Sequence, residues 1–215
     1  MVDPSESNNA EAVQVIVVLG SWSSGSTAMA GYIARLGAYS CPPHQMTNDE
    51  RTPNSHEPKV FRDSLAKCVD ELTLKMQLQD RSVFTEWFAG WIASEKAKAA
   101  AEGLQHLIIK HPLATYFIRE IEEVCSPYWV VITRPFERIE ATRQRRGWHP
   151  VYGKAGANIL YNHIFSELMN FGINALCMGF DSFRSDAGAR KQLANFLYLR
   201  PDNNRYSEAE RWVET

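Results

Sequence analysis

The sequence has little that would place it in a membrane, a metal centre or a disulfide frame. Its longest apolar run falls far short of the about 20 residues a membrane helix requires, and the first dozen residues are polar with no signal-peptide pattern. Four cysteines, Cys41, Cys68, Cys125 and Cys177, are scattered without a C-x-x-C pair, and none stands at ligand spacing from the six histidines. They read as reduced thiols of a cytoplasmic protein, with no metal site and no disulfide scaffold. A formal net charge of −2 gives no global field for nucleic acid or an anionic bilayer. Any polyanionic ligand must then be met by local basic clusters. Internal repeats are absent too. What is present is a globular chain of 215 residues, 45% hydrophobic and 22% charged. That suffices for one domain with a substantial core, over 13–215, behind a disordered tail at 1–12.

The stretch that organises the chain runs from Val15 to Thr27. The apolar run Val15-Ile16-Val17-Val18-Leu19 predicts a buried strand, Gly20 to Gly25 a tight loop of small residues, and the residues after Ser26 a helix that stops at Gly37. Such a loop turns successive backbone N–H groups toward an anion at the positive end of the helix dipole. The spacing also matches the nucleotide loop G-x-x-x-x-G-K-[ST], with Gly20, Gly25 and Thr27 in place, but Ser26 stands at the lysine position. Without that lysine nothing in the loop reaches the β- and γ-phosphates, which disfavours a kinase or ATPase.

Further strand–turn–helix units follow. Leu107-Ile108-Ile109 leads into Lys110-His111-Pro112 and an apolar helical pattern through Val124. Tyr128 to Thr133 leads into Arg134-Pro135 and a helix on which Arg138, Thr142 and Arg146 share one face by i, i+4 spacing. Ala175 to Phe180 is the last strand, followed by a helix from Ser185 to Leu197. Between the units, a helix is expected from Pro58 with Val60, Phe61, Leu65, Val69, Leu72 and Met76, a short strand at Ser82 to Thr85, and helices at 86–103 and 159–171. Parallel strands joined by helices imply an α/β fold, a doubly wound and mainly parallel sheet of four or five strands with helices on both faces. The segment 38–57 carries Pro42, Pro43 and Pro53 with little periodicity and reads as a long loop on the substrate side. Glu57 within it can serve as a carboxylate at a helix start, favoured by the dipole.

The loop Gly20 to Thr27 resembles the G-x-x-R-S-G-T-[ST] loop of sulfotransferases, with Ser23 where that family usually has Arg or Lys. Lys110-His111-Pro112 resembles the K-D-P segment of the tyrosylprotein and bacterial members. Arg134 with Thr142 eight residues later, and Arg146 four beyond, is similar to the R-x-x-x-x-x-x-x-S pattern that holds the 3′-phosphate of the donor PAPS (3′-phosphoadenosine 5′-phosphosulfate). The resemblance covers about 13–197 and implies a P-loop enzyme that moves a sulfuryl group from PAPS to a hydroxyl or amine of a small-molecule, saccharide or peptide acceptor, leaving PAP. It implies that Ser23, Ser24, Gly25, Ser26 and Thr27 hold the 5′-phosphate, that Arg134, Thr142 and Arg146 hold the 3′-phosphate, and that Lys110 stands near the leaving oxygen. His56, Glu57 and His44 are candidates for the general base. No metal, nucleic acid or membrane is expected as a partner. A P-loop small-molecule or nucleotide kinase and a catalytically silent nucleotide-binding module remain as alternatives.

Overall fold

The computed structural model describes residues 12–50 and 52–214; the expected tail lies outside the described residues but for Ala12. A parallel four-stranded sheet forms the centre, in the order β4-β1-β5-β6, with β1 at Gln14–Leu19, β4 at His106–Lys110, β5 at Tyr128–Thr133 and β6 at Ala175–Gly179. Every pairing in it is parallel, so each connection is a crossover carrying helix. The unbroken apolar runs follow from burial on both sides. Val15, Val17 and Leu19 face one core with Leu107, Ile109, Trp129 and Val131. Ile16 and Val18 face the other with Ile108, Val130 and Ile132. Each such side chain contributes about 1.5–3 kcal/mol when fully buried.

Helix α1 (Ser26–Arg35) covers the second core. The first is covered by α2 (Lys59–Cys68), α3 (Ser82–Ala101), α4 (Ile118–Cys125), α5 (Phe136–Arg145) and α6 (Lys154–Asn170). The chain therefore leaves β1 toward one face and β5 toward the other. Adjacent parallel strands that part in this way open a crevice at their carboxyl ends, where ligands of open α/β sheets bind.

Several local expectations are corrected. Segment 38–57 is not featureless: β2 (His44–Met46) and β3 (Asn54–Pro58) form a small antiparallel hairpin, so its backbone groups pair with each other. Glu57 belongs to that hairpin, one residue before the N-cap Pro58 of α2, and its carboxylate accepts from Lys110. Ser82 to Thr85 is the first turn of α3, because the Asp80 carboxylate accepts from the Ser82 backbone N–H at 2.9 Å and its hydroxyl at 2.7 Å, stabilising a helix entry. Helix α2 stops at Cys68 and does not run on to Met76. Val69 is extended and bridges Met76, around a turn in which Asp70 accepts from the N–H groups of Leu72 and Thr73. The apolar pattern after Pro112 begins as a 3-10 segment, Pro112–Phe117, before α4. The helix expected at 159–171 starts earlier, at Lys154. The helix expected from Ser185 starts at Ala187, and before it stands a short helix that was not expected, α7 (Phe180–Ser185), parted from α8 (Ala187–Phe196) where Asp186 accepts from Gly188 N–H at 2.7 Å. A final helix, α9 (Asn203–Glu214), went unpredicted. It docks on α1, where Trp212 donates to the Ala28 carbonyl at 2.9 Å and Tyr32 to Glu210 at 3.0 Å.

All four cysteines are free thiols. Among the described residues no helix is long and apolar enough to cross a membrane, and no cluster of His, Cys, Asp or Glu could hold a metal ion.

Candidate functional site

A cavity of about 510 Å³ opens at the carboxyl ends of β4, β1 and β5. Its floor is the loop between β1 and α1. Ser23 and Gly25 both take left-handed backbone conformations, with φ of 62° and 95°. At Gly25 a side chain is excluded outright, since a Cβ would lie 2.1 Å from the Phe180 ring. No side chain caps the start of α1, and its first turn carries no carboxylate. Its N-terminal N–H groups, with their share of the helix dipole, are thus left for an anion.

Arg134 follows β5 and reaches across the tip of β1. Its Nη1 donates to the Ser23 carbonyl at 3.0 Å and to the Thr142 hydroxyl at 3.2 Å, and its guanidinium lies 4.9 Å from the Phe180 ring centre. Nε of Arg134 and Oγ of Ser23 are buried with no hydrogen-bond partner among the described residues. Burial holds the Arg134 pKa below its ordinary value; attraction to Asp181 opposes that, and the charges of Arg138, Arg146 and Arg184 reinforce it. A half-buried guanidinium crowded by like charges, beside an unpartnered hydroxyl, is a site that an anion would relieve. Arg146 also lines the cavity, but its Nε pairs with Asp49 at 2.5 Å and its Nη2 donates to the Thr52 hydroxyl at 2.9 Å. Burial lowers its pKa, and Asp49 offsets part of the shift. Arg138, on the same helix face, turns away to Asp181 at 2.7 Å.

Lys110 ends β4 beside Val18 of β1, and its side chain is buried. Nζ donates to Glu57 Oε1 at 2.6 Å, to the Ser55 carbonyl at 3.2 Å and to the Thr27 hydroxyl at 3.3 Å. One ammonium therefore joins the phosphate loop to the hairpin. Burial would raise the pKa of Glu57, but attraction and hydrogen bonding from Lys110, with His111, outweigh it and the net shift is downward. His111 is buried, and its Nδ1 accepts from the Leu113 N–H at 3.2 Å, so in the neutral ring the proton sits on Nε2, 4.0 Å from Glu57 Oε2. Burial pulls its pKa down to about 4, Glu57 pulling the other way and Lys110 and Arg62 with it.

Of the residues singled out by sequence, Ser23, Gly25, Ser26, Thr27, Glu57, Lys110, Arg134, Thr142 and Arg146 all line this cavity. Ser24 is buried beneath the loop. The two hairpin histidines are not brought in. His44 bridges the Ser40 carbonyl at 2.7 Å and the Asn54 side chain at 3.1 Å. His56 packs against His44 and Trp212, with ring centres 5.3 and 5.7 Å away, and its pKa falls to about 4 through burial, then through His44, Arg35 and Lys110.

Sequence reasoning missed Trp22, Glu71, Tyr152 and Trp212 as parts of the wall. Two had a readable signal: Trp22 by its place in the Gly20–Thr27 loop, and Trp212 by the helical spacing of Tyr206, Ala209 and Val213 around it. Glu71 and Tyr152 arrive through tertiary packing. Neither a scan against protein-family models nor a search of the curated proteins finds a match for this chain.

Proposed function

We propose that this chain is a cytoplasmic PAPS-dependent sulfotransferase that acts on an acceptor hydroxyl or amine. The observation that carries the reading is Arg134: one guanidinium hydrogen-bonded to the glycine loop and to Thr142 eight residues on, in the same cavity as Lys110. A donor with an anion at each end needs that division of labour. The N–H groups of the loop and the hydroxyls of Ser23, Ser26 and Thr27 suit the 5′-phosphate, with Ser24 buried beneath them. Arg134, Thr142 and Arg146 suit the ribose 3′-phosphate through charge-assisted hydrogen bonds. Bound there, PAPS would supply a sulfuryl group already activated by its phosphate leaving group.

Lys110 stabilises negative charge that grows on the leaving oxygen, a role that positioning and electrostatics fulfil without covalent chemistry. It also offsets the missing cation at Ser23. A hydroxyl at the [ST] position of a kinase loop binds magnesium. Here the corresponding Thr27 hydroxyl already has an ammonium 3.3 Å away, which favours sulfuryl over phosphoryl transfer.

Glu57 takes the acceptor's proton. It is ionised in the resting site because Lys110 neutralises it. As the leaving oxygen draws on the Lys110 charge, the carboxylate loses part of its partner, burial dominates, and its proton affinity rises. Base and electrophile are thereby strengthened in the same step. His56 and His44 face away from the cavity and are given no part.

The test is a thermal shift with PAP in the absence of metal, set beside ATP with magnesium, followed by transfer from labelled PAPS to an acceptor panel. Stabilisation by PAP together with transfer is expected. Stabilisation by ATP with magnesium alone would mean a kinase, and PAP binding with no transfer to any acceptor would mean a silent module.

A further inference from the structure

Another stretch of the cavity has a different chemistry. Its wall carries Trp22, Tyr152, Arg62 and Glu71 together with Glu57. Trp22 and Tyr152 meet edge to face, with ring centres 4.9 Å apart at 68°, forming a corner of aromatic surface. Trp148 adjoins Tyr152, but its own face is taken by the Arg146 guanidinium, 4.4 Å from the ring centre. Beside that corner stands Glu71, half-buried on the turn after α2. The neighbouring Asp70 is spent on the turn backbone, accepting from Leu72 and Thr73, so of the two carboxylates only Glu71 faces the cavity. Arg62, the cation on that wall, donates to Asp63 at 3.2 Å and to Gln45 at 3.3 Å, and no cation of the described residues forms an ion pair with Glu71.

We infer that Glu71, Tyr152 and Trp22 form a subsite for an ammonium group, so that the acceptor is a hydroxyl compound carrying a protonated or methylated amine. The inference rests on the sulfotransferase reading of the same cavity. A carboxylate beside electron-rich ring faces attracts a cation both by charge and by the ring quadrupole, and more strongly where water is partly excluded. The state of Glu71 agrees: burial raises its pKa, Arg62 and a hydrogen bond from the Tyr152 hydroxyl oppose, and Glu57 and Asp70 reinforce the rise. A cationic ligand would supply the counter-charge that Glu71, hydrogen-bonded to Tyr152 and in no ion pair among the described residues, lacks. The bound amine would also set which end of the acceptor points to Glu57, leaving its hydroxyl to react.

Tyramine and 4-ethylphenol differ only by the ammonium and serve as probes, with binding to the full chain read by quenching of tryptophan fluorescence at neutral pH. Tyramine is expected to bind at least about 10-fold more tightly, an ordinary effect for one semi-buried charge pair. The preference should vanish in Glu71→Gln and shrink in Tyr152→Phe, while PAP affinity, which also reports that each variant is folded, stays as in the parent. Equal affinity for the two phenols, binding of neither, or a preference that survives Glu71→Gln would overturn the subsite. Failure of the donor reading looks different: PAP would not bind, yet the tyramine preference and its dependence on Glu71 would persist.

Discussion

At its arginine end the cavity is framed by the tips of adjacent parallel strands, β1 and β5, which hydrogen bonds hold in fixed register. At its carboxylate end it is framed by the β2–β3 hairpin, the turn at Glu71 and the 3-10 segment Pro150–Tyr152, none of which belongs to the central sheet. The difference divides the labour. On the proposed function, groups that would meet a constant donor sit at the tips of hydrogen-bonded strands, whereas groups that would choose an acceptor sit on pieces that can change without disturbing the sheet. Two side chains span both: Lys110 grows from β4 and binds Glu57 in the hairpin, and Arg146 at the end of α5 pairs with Asp49 and Thr52 between the hairpin strands.

Breaking the link through Lys110 has the largest expected effect. Lys110→Met leaves the Glu57 carboxylate buried without its cation, which costs about 3–5 kcal/mol. The double variant with Glu57→Gln should recover most of that stability in urea unfolding while staying inactive. A single variant that loses under about 1 kcal/mol would mean the pair is solvated and does not join the two ends.

Acid should act through the carboxylate end. His111 is buried neutral with a folded pKa of about 4 against an ordinary value of 6.5, so the unfolded chain binds its proton first. Stability is then full above 6.5 and declines as pH falls toward 4, by on the order of 3 kcal/mol for a displacement of that size. Glu57, with its folded pKa lowered, loses its contribution as pH falls through that value, in the same direction. Unfolding midpoints across this window, compared with those of His111→Gln, provide the check: a flatter profile is expected for the variant. Parallel profiles would assign the acid sensitivity elsewhere.

At the other end, Arg134→Ala should weaken PAP about 100-fold by calorimetry, the loss of a guanidinium making more than one charge-assisted hydrogen bond at about 1.5 kcal/mol or more each. An unchanged affinity would remove the donor from this crevice.

The two ends also differ in how much the sequence discloses. Val15 to Leu19 is legible as a central strand because burial on both faces demands an unbroken apolar run, and the turn after it because Gly25 has no room for a side chain. Arg134 and Thr142 are legible for the same reason: a strand end followed by a helix fixes their separation locally. The hairpin is not, since its short ladder pairs only His44 with Pro58 and Met46 with Asn54, with no apolar alternation to mark a strand. Val83 and Thr85 suggest a strand by propensity, yet the Asp80 contacts decide for a helix. Glu71 and Tyr152 lie in segments with no pattern of their own, and only the folded chain brings them to one wall.

The smallest expected effect belongs to Arg138, and it tests geometry against bulk charge. Arg138 shares a helix face with Thr142 and Arg146, and a purely electrostatic view of that face would rank it with Arg134. Its guanidinium instead pairs with Asp181 at 2.7 Å on the surface, where the two side chains are 59% and 52% exposed. An exposed pair of this kind contributes about 0–1 kcal/mol, and salt screens its reach. Arg138→Ala should therefore change PAP affinity less than about twofold and leave the unfolding midpoint nearly unmoved. If its loss instead approached that of Arg134→Ala, the donor would be held by the field of the whole helix, and the strand tips would lose the role that separates the two ends of the cavity.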